Sequence, residues 1–351
     1  MDDLPAAAVE RHDEPTWLLR WLVLLALACV VMTSLGGVVR LTHSGLSMVD
    51  WRPVAGVLPP LSEAAWQAVF SAYQQTPEYI KINAGMSLAD FRAIFWPEYI
   101  HRVLGRIVGL VVAVPLILGL LRGWFPRRLR VHLVGIGLLF VSQGVMGWLM
   151  VKSGLVNDPK VSPYRLALHL GLALALLAWC LWLIFERRWP PIAGAVSQRT
   201  ARWASLQLGA VVLQILLGAL VSGHRAGFVS DTFPLIRGQW IPMGLGSASS
   251  WWANIVANPL MLHFEHRWFA FVLLGIALTF HRQLRRYAAP APLRKVGTAI
   301  LLLLHLQIAL GIITILTLVP TWLASLHQLG GIAVLSLTWL AFHQTRRRDP
   351  A

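Results

Sequence analysis

The chain has 351 residues, 57% of them hydrophobic and 13% charged, with a mean hydropathy of +0.63. That balance excludes an ordinary soluble domain and indicates a polytopic, all-α membrane protein. The formal net charge of +15 would suit a nucleic-acid partner, but the basic residues are sorted by membrane side, so no nucleic acid is needed to explain them.

A spanning helix needs about 20 apolar residues, and eight segments qualify: 17–39, 98–121, 131–151, 164–185, 203–222, 263–280, 298–319 and 322–343. Residues 1–16 are a tail. The first segment is too long and too poorly flanked for a cleaved signal peptide and is read as a retained span. It ends Gly36-Gly37…His43-Ser44-Gly45 and enters a long connection, 40–97. There LSEAAWQAVFSAY has the pattern of a short amphipathic helix at the interface, and Ser87 with Asp90 resembles a capping box. Trp51, Trp66, Phe70, Phe91 and Trp96 either roof a site or form an aromatic belt.

The second span opens Glu98-Tyr-Ile-His101-Arg102…Arg106. The third contains Gln143-x3-Gly147, the fourth Leu168-His169-Leu-Gly171. A linker, 186–202, follows. The fifth contains Gln214-x3-Gly218 and runs on to His224-Arg-Ala-Gly227. A second long connection, 224–262, carries Trp240, Trp251 and Trp252. The sixth opens His263-Phe-Glu265-His266-Arg267, the seventh has Gln307-x3-Gly311, and the eighth has His327-Gln-Leu-Gly330, before the tail 344–351.

With both termini in the cytoplasm, the inner connections 122–130, 186–202 and 281–296 hold four, four and five Lys/Arg, and the tail holds three at 346–348. The outer connections are mostly longer yet hold four, three and two, which is the positive-inside bias. Cys29 and Cys180 both fall in spans, so no structural disulfide is expected.

The motifs recur in the same order in both halves, as an internal duplication would give. The expected architecture is two pseudo-symmetric four-helix bundles, 17–185 and 203–343. With four spans per repeat, both halves cross in the same direction. His101, His169, His266 and His327 then all lie in the outer leaflet, two per half. His43 and His224 form a further matched pair at the roof of each site.

Ionisable residues within spans mark function. Two imidazoles facing each other across a bundle suit the axial pair of a six-coordinate haem. Zinc would want three or four close ligands; in a third reading the histidines only bond neighbouring helices. Arg102 and Arg106 share a helix face, and with Arg267 they can reach haem propionates or snorkel to lipid phosphate. Glu98 lies one turn before His101, where the second half has His263. Glu98 either caps its helix or serves as a proton group. The latter makes one site chemical and the other an electron-transfer site. A rival arrangement stacks haems on His266/His281 and His327/His343, but the first half has no similar pair. His132 and His305 lack repeat partners and are read as structural.

The stretches LGGVVRLTHSGLSM (35–48), Trp51-Arg-Pro, EYIHRVLGR (98–106), Leu168-His169 and His263-Phe-Glu-His-Arg resemble the haem A synthase family, in the form shared by mitochondria and many proteobacteria. The resemblance covers nearly the whole chain. It implies eight helices in two bundles and oxidation of the C8 methyl of haem O to a formyl group, giving haem A for cytochrome oxidase. Two successive hydroxylations and loss of water from a gem-diol account for that change. By the same resemblance, His101 and His169 hold haem O, with Arg102 and Arg106 nearby and Glu98 at the reacting edge. His266 and His327, with Arg267, hold a permanent haem b. The implied setting is a bacterial inner membrane, with the haem sites toward the periplasm. The implied partners are haem O, a haem O synthase supplying it, an electron donor of unspecified identity, lipid, and a second copy in a homo-oligomer. Some relatives carry a cysteine pair in the first outer loop, which this chain lacks. The competing functions are a dihaem b-type electron carrier linked to quinol, and a transporter.

Overall fold

The computed structural model describes residues 14–49, 58–155, 159–190 and 196–346. Trp51, the Trp-Arg-Pro stretch, most of both tails, Arg347 and Arg348 lie outside the described residues. Among the described residues the chain is helical, with one isolated bridge between Ile236 and Gln239 and no strand.

Among the described residues, eight helices are long and apolar enough to cross a membrane: α1 (Leu18–Leu41), α4 (Leu88–Leu121), α5 (Arg127–Leu155), α6 (Pro163–Arg188), α7 (Gln198–Gly223), α9 (Pro259–Arg286), α10 (Ala291–Leu316) and α11 (Thr321–Thr345). The protein is therefore a multi-pass membrane protein. Three short helices lie in the connections: α2 (Glu63–Gln74), α3 (Pro77–Lys81) and α8 (Trp251–Ala257).

The largest departure from the sequence expectation is α4, which starts ten residues before its apolar run. The Ser87/Asp90 capping box is present: the Ser87 hydroxyl accepts from the Asp90 N–H at 3.2 Å and the Asp90 carboxylate accepts from the Ser87 N–H at 3.3 Å. At 1.5 Å per residue this 34-residue helix is about 51 Å long, against about 30 Å of hydrocarbon. The extra turns carry Phe91 and Phe95, which pack with Trp66, Phe70 and Tyr73 into a small core of their own. The aromatic residues of this connection therefore build a cap. Within it the fully buried Tyr73 donates to Glu78 (3.1 Å) and accepts from Asn83 (2.8 Å). Burial, above all, pushes its phenol pKa up and keeps that proton in place.

The chain divides into two compact units. The first comprises residues 1–160 and 172–187, the second 161–171 and 188–351. The division falls inside α6. In the first unit α1 packs on α4 and α4 on α5. The Trp179 indole of α6 donates to His132 Nδ1 of α5 (3.1 Å), which gives that histidine a structural partner. In the second unit α7 packs on α9 and α11, and α10 on the same two helices, closing a ring of four. Cys29 and Cys180 are buried free thiols.

Candidate functional site

In the first unit the turn of α4 that carries Glu98 is tied to the loop that follows α1. Pro97 has no N–H to give to Ala93 O one turn back, so that carbonyl loses its helix partner. The Ser47 hydroxyl lies 3.3 Å from Ile94 O in the same turn, but its single proton has a shorter contact, 2.6 Å, with Glu98. The Met48 N–H donates to the same carboxylate oxygen at 3.0 Å. Arg102 holds the other oxygen at 2.5 Å and donates to Met48 O at 2.9 Å. Glu98 is 3% exposed, so this is a buried ion pair completed by two further donors. The SGLSM stretch thus forms the other half of the Glu98 site.

His101 lies on the same face one turn further along α4, beneath Gly36 of α1; a Cβ built on Gly36 would stand 3.2 Å from His101 Nε2. Arg106 follows on the next turn. His169 is on the segment of α6 that belongs to the second unit.

In the second unit the corresponding turn of α9 also holds a loop. His263 Nδ1 bonds Ala226 O at 2.8 Å. The Arg267 guanidinium donates to Thr232 O (2.8 Å), Pro234 O and Leu235 O (both 3.2 Å), and to His263 Nε2 (2.9 Å). Arg267, 7% exposed, is thus engaged by main-chain carbonyls. Sequence reasoning placed it beside a ligand but gave no sign of these partners, because a carbonyl leaves no residue-type signature.

The backbone also corrects the matching of His43 with His224. Thr42 and His224 share one conformation (φ −86°, ψ 4° and φ −85°, ψ 2°), as do His43 and Arg225 (φ 55° and 54°). The register is therefore shifted by one residue, and Gly36 then corresponds to Gly218. Those two glycines lie against His101 and His266 respectively.

The structure brings His266 and His327 together. Their ring centroids are 6.3 Å apart and their planes 82° apart. Two imidazoles on opposite sides of one metal, each with a bond of about 2 Å and about 1 Å from nitrogen to ring centre, put the centroids roughly 6 Å apart. Gly218 and Gly311 sit over the two rings; an added Cβ would come within 2.9 Å of His266 and 3.2 Å of His327. Among the described residues no three His, Cys, Asp or Glu side chains gather as for a bare metal ion. A close imidazole pair in a bundle with glycine-relieved walls has the spacing of a bis-histidine haem site. His281 and His343 lie at the opposite ends of α9 and α11, His281 in contact with Arg285 and His343 with Arg346.

Residues 19–339 match the family described as cytochrome oxidase assembly protein, COX15-CtaA. The chain is similar to a haem A synthase of Paramagnetospirillum magneticum, 42% identical over 340 residues and covering 93% of each chain. It is 40% identical over 331 residues to that of Nitrosospira multiformis, again 93% of each. With that of Agrobacterium fabrum it shares 40% over 349 residues, 98% of this chain and 94% of the relative. With an eight-span helical fold, a close histidine pair and a match along nearly its whole length, the chain belongs to the COX15-CtaA family of cytochrome oxidase assembly proteins.

Proposed function

We propose that this protein is a haem A synthase that oxidises the C8 methyl of haem O to a formyl group. The reading rests on the family match and on one geometric observation, the perpendicular His266/His327 pair at 6.3 Å. With the oxygen atom counted as water, the change from CH3 to CHO releases four electrons and four protons, so the protein needs an electron path and a proton path.

His266 and His327 would hold a resident haem b, which supplies one-electron transfer. His101 and His169 would hold the haem O substrate, with Glu98 one turn above His101. Arg102, Arg106 and Arg267 add positive charge where haem carboxylates would lie. Glu98 is anchored as an acceptor by Ser47, Met48 and Arg102. A carboxylate fixed in that way opposes developing positive charge at a nearby carbon and can receive a proton from it. The two bundles would be 17–185 and 203–343, with both termini cytoplasmic and the haem sites toward the periplasm of a bacterial inner membrane. A neighbouring haem O synthase would supply the substrate.

Pigment extraction from the purified full chain, co-expressed with a haem O supply, tests this. Haem O or A beside haem b supports the synthase; haem b alone supports the dihaem carrier; absence of a Soret band removes both. Glu98→Ala should keep haem b while haem A formation falls by about 100-fold or more. Unchanged output would remove Glu98 from the chemistry.

A further inference from the structure

We propose that Gln207 of α7 and Thr338 of α11 hold water in the core of the second unit, as the middle rung of a polar file that runs from the far end of the bundle toward the His266/His327 pair. The site does not depend on what that pair binds.

The helix register places the two residues at one depth. Gly218 lies against His266, whose ring stands 6.3 Å from that of His327. As the fifth and eighth spans, α7 and α11 run antiparallel, and they pack on each other. Eleven residues back from Gly218 stands Gln207, and eleven on from His327 stands Thr338. Eleven residues make about three helical turns and about 16 Å, so each side chain returns to the face from which the count began, equally far from the pair. The same step from His266 along α9 gives Ala277, and from Gly311 back along α10 it gives Ile300. All four residues are buried, Gln207 at 0% and Thr338 at 1% exposed. They form one layer across the bundle core.

Within that layer neither polar side chain has a protein partner. Both amide atoms of Gln207 and the Thr338 hydroxyl are buried without a hydrogen bond. A helical threonine in an apolar core ordinarily donates to the carbonyl one turn back, as Thr314 does to Leu310 and Thr345 to Ala341; Thr338 does not. A carboxamide left dry costs free energy that a packed leucine would not. The first unit uses that alternative. With Gly36 matched to Gly218 and His169 to His327, Leu25 stands for Gln207 and Cys180 for Thr338, and both are buried. Packing alone therefore does not call for an amide and a hydroxyl at these positions.

The occupant must be small and must both donate and accept. Two amide atoms and one hydroxyl offer about the three hydrogen bonds that an internal water makes, and Ala277 is the smallest side chain of the layer. The file continues along α7 in steps of seven residues, with Thr200 toward the bundle end and Gln214 toward the pair. Thr345 lies seven residues beyond Thr338, and Thr200 and Thr345 are both buried. Gln214 donates to His266 O at 3.0 Å and keeps its carboxamide oxygen buried without a partner. On α1 the matching positions are Leu18, Leu25 and Met32, so α1 carries no such file. Amides and hydroxyls do not ionise here, so bound water is what would let the file pass a proton, by exchange of hydrogen bonds.

The test uses the full chain as purified, with Gln207→Leu, Thr338→Val and the double variant. Infrared spectra in ordinary water and in water labelled with heavy oxygen report an internal water as an O–H band that moves with the isotope. Wild type should show such a band and the double variant should lack it. Thermal unfolding in detergent gives an independent reading. Each single variant leaves the water short of a partner and should unfold about 2–4 °C lower, and the double variant should fall by less than the two losses combined. No isotope-sensitive difference between wild type and double variant would overturn the proposal, even with coupled losses, which would then mean a direct amide–hydroxyl bond. Single variants that each raise the unfolding temperature would overturn it too, because that is the result of replacing dry polar groups by carbon. If Gln207→Leu does not accumulate, the near-isosteric Thr338→Val decides alone: it should shift the band, and an unshifted band would overturn the site.

Discussion

The Glu98 turn of α4 and the His263 turn of α9 do the same job with opposite polarity. In the first unit the helix offers an anion and the loop supplies donors: the Ser47 hydroxyl and the Met48 N–H converge on Glu98. In the second unit the helix offers donors and the loop supplies carbonyls, those of Ala226, Thr232, Pro234 and Leu235. Both turns use an arginine four residues on, bridging helix and loop. A clasp without a carboxylate holds the loop of the second unit, where an imidazole and a guanidinium meet main-chain carbonyls. The first unit adds a buried carboxylate that holding a loop does not require, and this difference is what motivates the role proposed for Glu98.

That comparison can be broken most forcefully at Arg102. Arg102→Met leaves the Glu98 charge buried without its counterion and should lower stability by about 3–5 kcal/mol, read from thermal unfolding in detergent. Pairing it with Glu98→Gln should restore most of the loss; a double variant as unstable as the single would show that charge burial is not the issue. Arg267→Met should have a smaller effect, about 1.5–3 kcal/mol, because it strands neutral carbonyls near water. Faster proteolysis within 229–240 is the expected signature, and an unchanged cleavage rate would show that the arginine does not hold this loop. The smallest effect is expected from Met32→Gln, which gives α1 the residue found on α7. Stability should change by less than about 1.5 kcal/mol. The optical spectrum of the substrate-side haem should shift while that of haem b stays fixed. A shift in haem b alone would contradict the assignment of the two units.

The eight spans were legible because lipid demands long apolar runs, and none was missed. The start of α4 was marked by the Ser87/Asp90 capping box, but its unbroken run into the span was not legible, because Phe91 and Phe95 pack on Trp66 and Phe70 instead of lipid, so no hydropathy step announces the continuation. The pairing of His266 with His327 was legible from the repeated motifs. The partners of Arg267 and Glu98 were only half legible: the helix residues stand out as charges, whereas main-chain N–H and C=O groups are the same at every position. The register slip between His43 and His224 has a similar cause. Matching letters favoured the two histidines, while the left-handed backbone that aligns the loops is occupied by His43 and Arg225.

Because α4 runs without interruption from Leu88 to Leu121, the cap and the Glu98–His101 turn are carried on one lever. Pro97 is the natural place for that lever to flex, since one rung of the hydrogen-bond ladder is absent there. A substitution at Phe91 or Trp66, far from either histidine, would then reach the oxidation step by tilting the helix that carries it. Damage of this kind would look catalytic in an assay while its origin was mechanical.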